Sequence, residues 1–330
     1  MTRRWRLDLA YDGTDFHGWA AQPGQRTVQG VLEEALTRLL RLDEPAQLTV
    51  AGRTDAGVHA RAQVAHLDVG PSAVWRPERV LNRYLPGDLV VHRLSGAPPG
   101  FDARFSATGR TYCYRLWDLE STPDPQLRRR VSPVRGTLDV AAMDAAAQTL
   151  LGLHDFAPFC HQREGATTIR TLRRFDVVRA EDACGTIECW LEADAFCHSM
   201  VRSLVGAVMT VGLHRRDAAW LARIAALPER AGEVPVLPGA GLTLERIDYP
   251  PDDELARRAE RARSVRTLVD PPDGSPAEPC RGACADEPVR ARPVAEIADI
   301  AVDAAPEPRF LQSRRATVPG GGPEDGAGDG

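Results

Sequence analysis

The sequence predicts an α+β fold in which two helix-backed, mainly antiparallel sheets join into one and are followed by a tail with no core of its own. Three observations predict it. Strand-like alternation and helix-like spacing recur in two successive blocks within residues 1–250, each running strand–helix–strand–strand. The connections inside each block are too short for parallel crossovers, which favours antiparallel pairing. Composition then changes abruptly: residues 251–330 hold 11 Pro, 8 Gly and only one of the 19 aromatics, Phe310.

The elements follow in order. Trp5, Leu7, Leu9 and Tyr11 alternate with polar residues as a half-buried strand closed by Asp12-Gly13. Apolar residues at Val31, Leu32, Ala35, Leu36, Leu39 and Leu40 make one helix face, with Thr27 as N-cap. Gln47–Ala51 is a short strand, Gln63–Val69 a longer one, Pro77–Tyr84 a short helix and Asp88–Leu94 a strand. The second block runs strand Arg110–Asp118, Ala-rich helix Asp139–Leu151, and strands Thr168–Arg179 and Thr186–Ala193. Helices Met200–His214 and Asp217–Leu227 and a closing strand, Leu242–Tyr249, complete it. This divides the chain into an N-terminal half (1–107), a C-terminal half (108–250) and the tail (251–330), where a short helix over Asp252–Val269 is the one element to expect. Such a tail cannot bury enough apolar surface to offset its ordering entropy, so disorder is expected there.

Charge is informative only by position. The chain has 41 basic and 46 acidic residues, net −5. The tail carries 11 of the basic and 16 of the acidic ones, leaving 30 of each, and no net charge, in residues 1–250. The global figure therefore does not exclude a polyanionic partner. All 41 basic residues are Arg, which either favours phosphate recognition or reflects codon bias; the count alone argues for neither. The longest apolar run, around Val201–Leu213, is broken by Arg202, Ser203 and Thr210 and is shorter than a membrane span of about 20 residues. No apolar signal segment opens the chain, so a cytoplasmic location is expected. The seven Cys lack paired metal-type spacing, and reduced thiols without a metal are the expectation.

One segment carries chemistry. In Ala51-Gly-Arg-Thr-Asp-Ala-Gly-Val-His-Ala60 two glycines bracket Arg53-Thr54-Asp55 directly after a strand. Gly52 and Gly57 permit backbone geometries closed to other residues and let a substrate approach. An accessible, ionised Asp55 beside a cation can act as nucleophile or general base. The bland alternative is a turn that Asp55 caps and Arg53 pairs with. His59 reads as a satisfied structural histidine.

This segment resembles the active-site motif of the tRNA pseudouridine synthase A family. The resemblance continues through Tyr11-Asp-Gly-Thr-Asp-Phe-His-Gly-Trp19, Thr27-Val-Gln-Gly-Val-Leu-Glu33, Phe101-Asp-Ala-Arg-Phe-Ser-Ala107, Arg110-Thr-Tyr-Cys-Tyr114, Phe196-x3-Met-Val-Arg-x3-Gly206 and Gly241-Leu-Thr-Leu, in the family's order. It implies the pseudouridine synthase fold, two ferredoxin-like halves sharing a mixed, mainly antiparallel sheet. It makes Asp55 the nucleophile, has Arg53 hold a flipped nucleotide, packs Tyr112 on the uracil with a part in C5 proton removal, pairs Arg202 with Asp55, and walls the pocket with Phe196 and Met200. It implies isomerisation of uridine at tRNA positions 38, 39 and 40 in the anticodon stem-loop, by a homodimer with neither cofactor nor metal. The family usually has Gln directly after Trp19, Asn at Asp194 and a second His at Ser199.

Each supporting residue has a plainer reading. Tyr112 and Tyr114 alternate in a strand, so one ring is expected inside and one outside. Arg202 opens an apolar helix, where snorkelling is the ordinary role. Arg104 is either a phosphate contact or a structural ion pair. Arg53, Arg61, Arg104, Arg110, Arg163, Arg170, Arg173 and Arg174 are expected near the cleft, several on one edge strand and its flank. Two rival functions remain: an RNA-binding protein that keeps the fold without catalysis, and an Asp-dependent nucleotide hydrolase. The latter lacks a second carboxylate or metal cluster at useful spacing.

Overall fold

The computed structural model describes residues 2–70, 73, 77–162 and 167–263. The tail from residue 264, with Cys280, Cys284, Phe310 and the disorder expected there, lies outside these residues, as does Arg163. The first block supplies β1 (Arg3–Tyr11), α1 (Val28–Leu40), β2 (Leu48–Val50), β3 (His59–Val69), α2 (Glu78–Leu81) and β4 (Leu89–Gly96). The second supplies β5 (Gly109–Trp117), β6 (Ser132–Pro133), α3 (Val140–Gln148), β7 (Gly152–Asp155), β8 (Ile169–Arg179), β9 (Ile187–Ala193), α4 (Met200–Gly212) and α5 (Ala218–Ala225). β10 (Leu242–Asp248) and α6 (Leu255–Ala262) close the described chain. Among the described residues no helix is long and apolar enough to cross a membrane.

Local signals in the sequence account for most boundaries. Thr27 caps α1 by accepting from Gly30 N–H, and Asp139 and Asp217 cap α3 and α5 in the same way. Val28, Leu32, Leu36 and Leu40, four residues apart, are the buried stripe of α1. At roughly 2 kcal/mol for each buried aliphatic side chain, that stripe rather than helix propensity holds α1 to the sheet.

The strands form one sheet in the order β4-β1-β3-β10-β5-β9-β8-β7, with β2 added on β3 and β6 on β5. Among the described residues only β10 with β3 and β6 with β5 pair in parallel, so the sheet is mixed and mainly antiparallel, as expected. The two blocks meet through β10, which sets Thr243 opposite His59 and Leu244 opposite both Ala60 and Tyr112. The strand after the Asp55 loop and the strand bearing Tyr112 are thereby held in one register.

Three expectations need correction. Tyr112 and Tyr114 are both buried, because residues two apart share a strand face and β5 is buried almost throughout. The Tyr114 hydroxyl bonds to Ser132 Oγ at 2.8 Å and donates to Pro238 O at 2.9 Å. β8 is not an edge strand over its first residues, since β7 pairs with Ile169–Leu172. The chain from 251 to 263, expected in the tail, is folded, and its α6 falls within the span where a short helix was anticipated. Leu255 and Ala259 are buried, and Ser106 Oγ donates to Leu255 O at 3.1 Å. Gly100, at φ +75°, permits this approach: a Cβ there would lie 2.6 Å from Ala256 Cβ.

Candidate active site

The loop carrying Asp55 is clamped by the segment that follows β1. Trp19 N–H donates to Thr54 O at 3.0 Å and Gly57 N–H to Phe16 O at 3.2 Å. Gly18, at φ +87°, makes the approach feasible, because a Cβ there would come within 2.8 Å of Thr54 O. Beneath the loop, the Tyr11 hydroxyl bonds to Thr54 Oγ1 at 2.8 Å, and Gln63 Nε2 donates to Gly52 O at 2.8 Å. Burial pushes the Tyr11 phenol up to about 12, so this support stays neutral. His59 Nδ1 accepts from Gly13 N–H at 3.0 Å, while Nε2 faces the carbonyls of Arg129 and Ala240 at 2.8 and 3.1 Å. Its role is structural, and desolvation lowers its pKa. Of the two bracketing glycines, Gly57 adopts φ +75°. At Gly52 a Cβ would sit 3.8 Å from the Tyr112 hydroxyl, an ordinary contact.

α4 brings the cation. Arg202 Nη1 donates to Asp55 Oδ2 at 3.1 Å, and its Nε donates to Leu237 O, which fixes the plane of the guanidinium. Arg202 points inward rather than snorkelling, and it is Arg202, not Arg53, that pairs with Asp55. A second basic group was not singled out from the sequence: His198 Nε2 lies 3.4 Å from Asp55 Oδ1. Ser199, the N-cap of α4, sits at φ 65° without a side-chain cap bond. This left-handed residue lets Met200 turn into the core while His198 faces the carboxylate.

Two aromatic rings form one wall of an otherwise largely polar cleft. Tyr112 and Phe196 meet edge-to-face, with ring centroids 5.2 Å apart and planes at 89°. They line a cleft of about 470 Å³ together with Met200, Arg53, Arg104 and Asp55. Burial raises the Tyr112 phenol well above its usual range, and the nearby Tyr11 and Asp55 add to this. Arg53 and Arg104 are exposed at the rim, Arg104 lying over the Phe105 ring at 5.1 Å.

Arg110 lines the cleft, as expected, but its guanidinium is turned inward. It is 8% exposed and donates to Asp194 O at 2.6 Å, Ala51 O at 2.9 Å and Arg104 O at 2.9 Å. It ties three segments of the cleft wall together instead of offering its charge to solvent. Others of the expected cleft arginines are neutralised: Arg61 pairs with Glu245, Arg173 with Glu192 and Arg174 with Asp176. Asp194 Oδ1 accepts from Thr171 N–H at 2.9 Å, as an amide oxygen would.

Cys160 and Cys197 correct the expectation of reduced thiols. They form a disulfide with Cα atoms 5.8 Å apart, although 37 residues separate them in sequence. The antiparallel bridge between His161 and His198 brings them together, a long-range pairing that spacing alone does not reveal. His198 was the most legible of the missed residues, since it lies inside the Phe196–Arg202 motif. Arg110 was visible as the first residue of the Arg110–Tyr114 motif, though not its ties to three carbonyls, and nothing local marks Gln63.

Comparison with known proteins assigns the arrangement to a family. The model of the tRNA pseudouridine synthase family matches residues 9–106 and 146–250. The chain is 57% identical over 271 residues to tRNA pseudouridine synthase A of Cutibacterium acnes, covering 81% of this chain and 96% of the relative. Its Streptomyces griseus counterpart is 52% identical over 270 residues, covering 80% and 94%. That of Mycobacterium leprae is 48% identical over 279 residues, covering 80% and 96%. A fold and a carboxylate site foreshadowed by the Gly-Arg-Thr-Asp segment thus coincide with extensive sequence identity, and the chain belongs to the tRNA pseudouridine synthase family of isomerases.

Proposed function

We propose that the chain isomerises uridine to pseudouridine at positions 38, 39 and 40 of the tRNA anticodon stem-loop, with Asp55 as nucleophile, after the target nucleotide has flipped out of its stack. The observation that carries this reading is the Asp55 carboxylate itself. It is partly exposed at a cleft, held on one oxygen by Arg202 and approached on the other by His198.

The reaction breaks the N1–C1′ bond, rotates the base, forms C5–C1′ and releases the C5 proton, while N1 gains one. Attack at the sugar C1′, attack at ring C6 and deprotonation of the sugar each require one correctly placed carboxylate, and the reaction draws on no cofactor or metal. Arg202 orients Asp55 and shields its charge until the substrate arrives. Tyr112 packs on the uracil, and its raised pKa keeps it a neutral phenol, which favours ring packing over a phenolate acting at C5. Phe196 and Met200 retain the detached base by excluding water. Flipping costs a few kcal/mol, which stacking on the cleft wall and contacts from Arg53 and Arg104 to the backbone offset. The working form is a cytoplasmic homodimer with one tRNA spanning both subunits.

The test is to map modification on unmodified tRNA transcripts carrying uridine singly at 38, 39 or 40. Pseudouridine should arise at each of the three and at no control uridine in the acceptor stem. Formation elsewhere, or none in the anticodon arm, contradicts the assignment.

A further inference from the structure

A second cavity, away from Asp55, has the composition of a nucleic-acid contact. It encloses about 510 Å³ and is lined by Arg38, Leu39, Arg41, Pro77, Arg79, Val80 and Tyr84, with no acidic residue among them. The three guanidinium groups are exposed, and Tyr84 is 57% exposed, an unusual setting for a large aromatic side chain. Among the described residues, no carboxylate lies within ion-pair distance of Arg38, Arg41 or Arg79. This sets them apart from Arg61, Arg173 and Arg174, whose charges are already matched. Arg38, in the last turn of α1, is favourably placed against the helix dipole. That accounts for neither Arg79, which comes from α2, nor the solvent-facing ring of Tyr84.

α1 connects the two sites. Gln29, in its first turn, lines the Asp55 cleft, and Arg38, in its last turn, lines the second cavity. Nine residues of helix put them about 14 Å apart along the axis. A nucleic-acid strand repeats its charge every few ångströms, so a strand leaving the cleft spans that distance within a few nucleotides.

We propose that this cavity is a second RNA subsite. It takes the sugar–phosphate backbone of the tRNA beyond the target uridine through Arg38, Arg41 and Arg79, and stacks an unpaired base on Tyr84. Guanidinium groups match phosphate oxygens in pairs, and an exposed ring accepts any base face. The inference rests on the tRNA reading proposed for Asp55 and adds to it a place where RNA remote from the reacting base is gripped.

The test is filter binding of a radiolabelled unmodified tRNA transcript to the full chain, between about 50 and 200 mM salt. For Arg38→Gln/Arg79→Gln the dependence of log affinity on log salt should flatten by about two, roughly one for each phosphate no longer gripped. Affinity at the lowest salt should fall at least tenfold. Arg38→Lys/Arg79→Lys, which keeps both charges, should regain most of the slope. Tyr84→Ala should bind about tenfold more weakly at every salt concentration with the slope unchanged, as expected when base stacking is removed. Wild-type slope and affinity in the Gln double variant overturn the inference, as does a Lys double variant no better than the Gln one. If instead the wild-type chain forms no pseudouridine in the same transcript, the reading of the Asp55 site fails, a result distinguishable from failure of the second subsite.

Discussion

At the scale of single residues, the site is built by a few groups that orient one another. Asp55 is oriented by Arg202, and Arg202 by Leu237 O. Arg110 carries the largest consequence, because its one guanidinium serves the carbonyls of Ala51, Arg104 and Asp194. Arg110→Met would leave three inward carbonyls without a donor, at about 1–3 kcal/mol for each that water cannot reach. The variant should lose about 3 kcal/mol or more in urea unfolding. Its kcat should fall more than its tRNA affinity, because the Asp55 loop is displaced rather than removed; Arg110→Lys should recover part of both. Unchanged stability would show that Arg110 does not tie the cleft together. This role was not legible in the sequence, where Arg110 is marked only as the first residue of a strand motif. Asp55 was legible, because its glycine-bracketed motif is local. His198 falls between: its motif was visible, but its function depends on a carboxylate 143 positions earlier in the chain.

Among the elements, those with strong periodicity or caps were legible, as α1 with Thr27 and β9 with its strict alternation show. β6 and β7 were not, being two and four residues long with no alternating burial. Their existence is decided by the strands they lie against. α6 shows the opposite failure. The compositional change at residue 250 is real, yet Leu255 and Ala259 still find a place to be buried beside Gly100 and Ser106. Truncation after Arg263 should therefore leave thermal stability near that of the full chain. Truncation after residue 250 should lower it by several degrees, since burying one Leu is worth about 2 kcal/mol and a kcal/mol shifts Tm by about 2–4 °C in a domain of this size. Equal stability of the two truncated proteins would show α6 to be dispensable.

For the whole molecule, charge and pH are the relevant variables. A folded region with balanced charge can bind a polyanion only where arginines are left unmatched, and those at the cleft rim and at the far end of α1 are among the described arginines without an ion pair. Acid should act through specific buried groups. Desolvation depresses His59 and His66 in the folded state, so the unfolded chain binds protons more readily and stability falls as pH drops through the ordinary histidine range near about 6.5. Burial alone would raise Asp118, but hydrogen bonds from Arg179, Leu138 N–H and Ser121 hold it below the usual carboxylate range. Its contribution is present above about pH 4 and is lost on further acidification. The melting temperature should decline in two stages from pH 8 to pH 3. The deficit of Asp118→Asn relative to wild type should be greatest at neutral pH and shrink toward pH 3; a deficit independent of pH would contradict this account.

All these scales converge on one carboxylate. The most direct measurement is tritium release from C5-labelled uridine in unmodified tRNA, comparing wild type with Asp55→Ala and following tRNA binding by both. Release should be rapid with wild type and absent with the variant, while binding survives. Release that persists in Asp55→Ala would show that the chemistry belongs to another group.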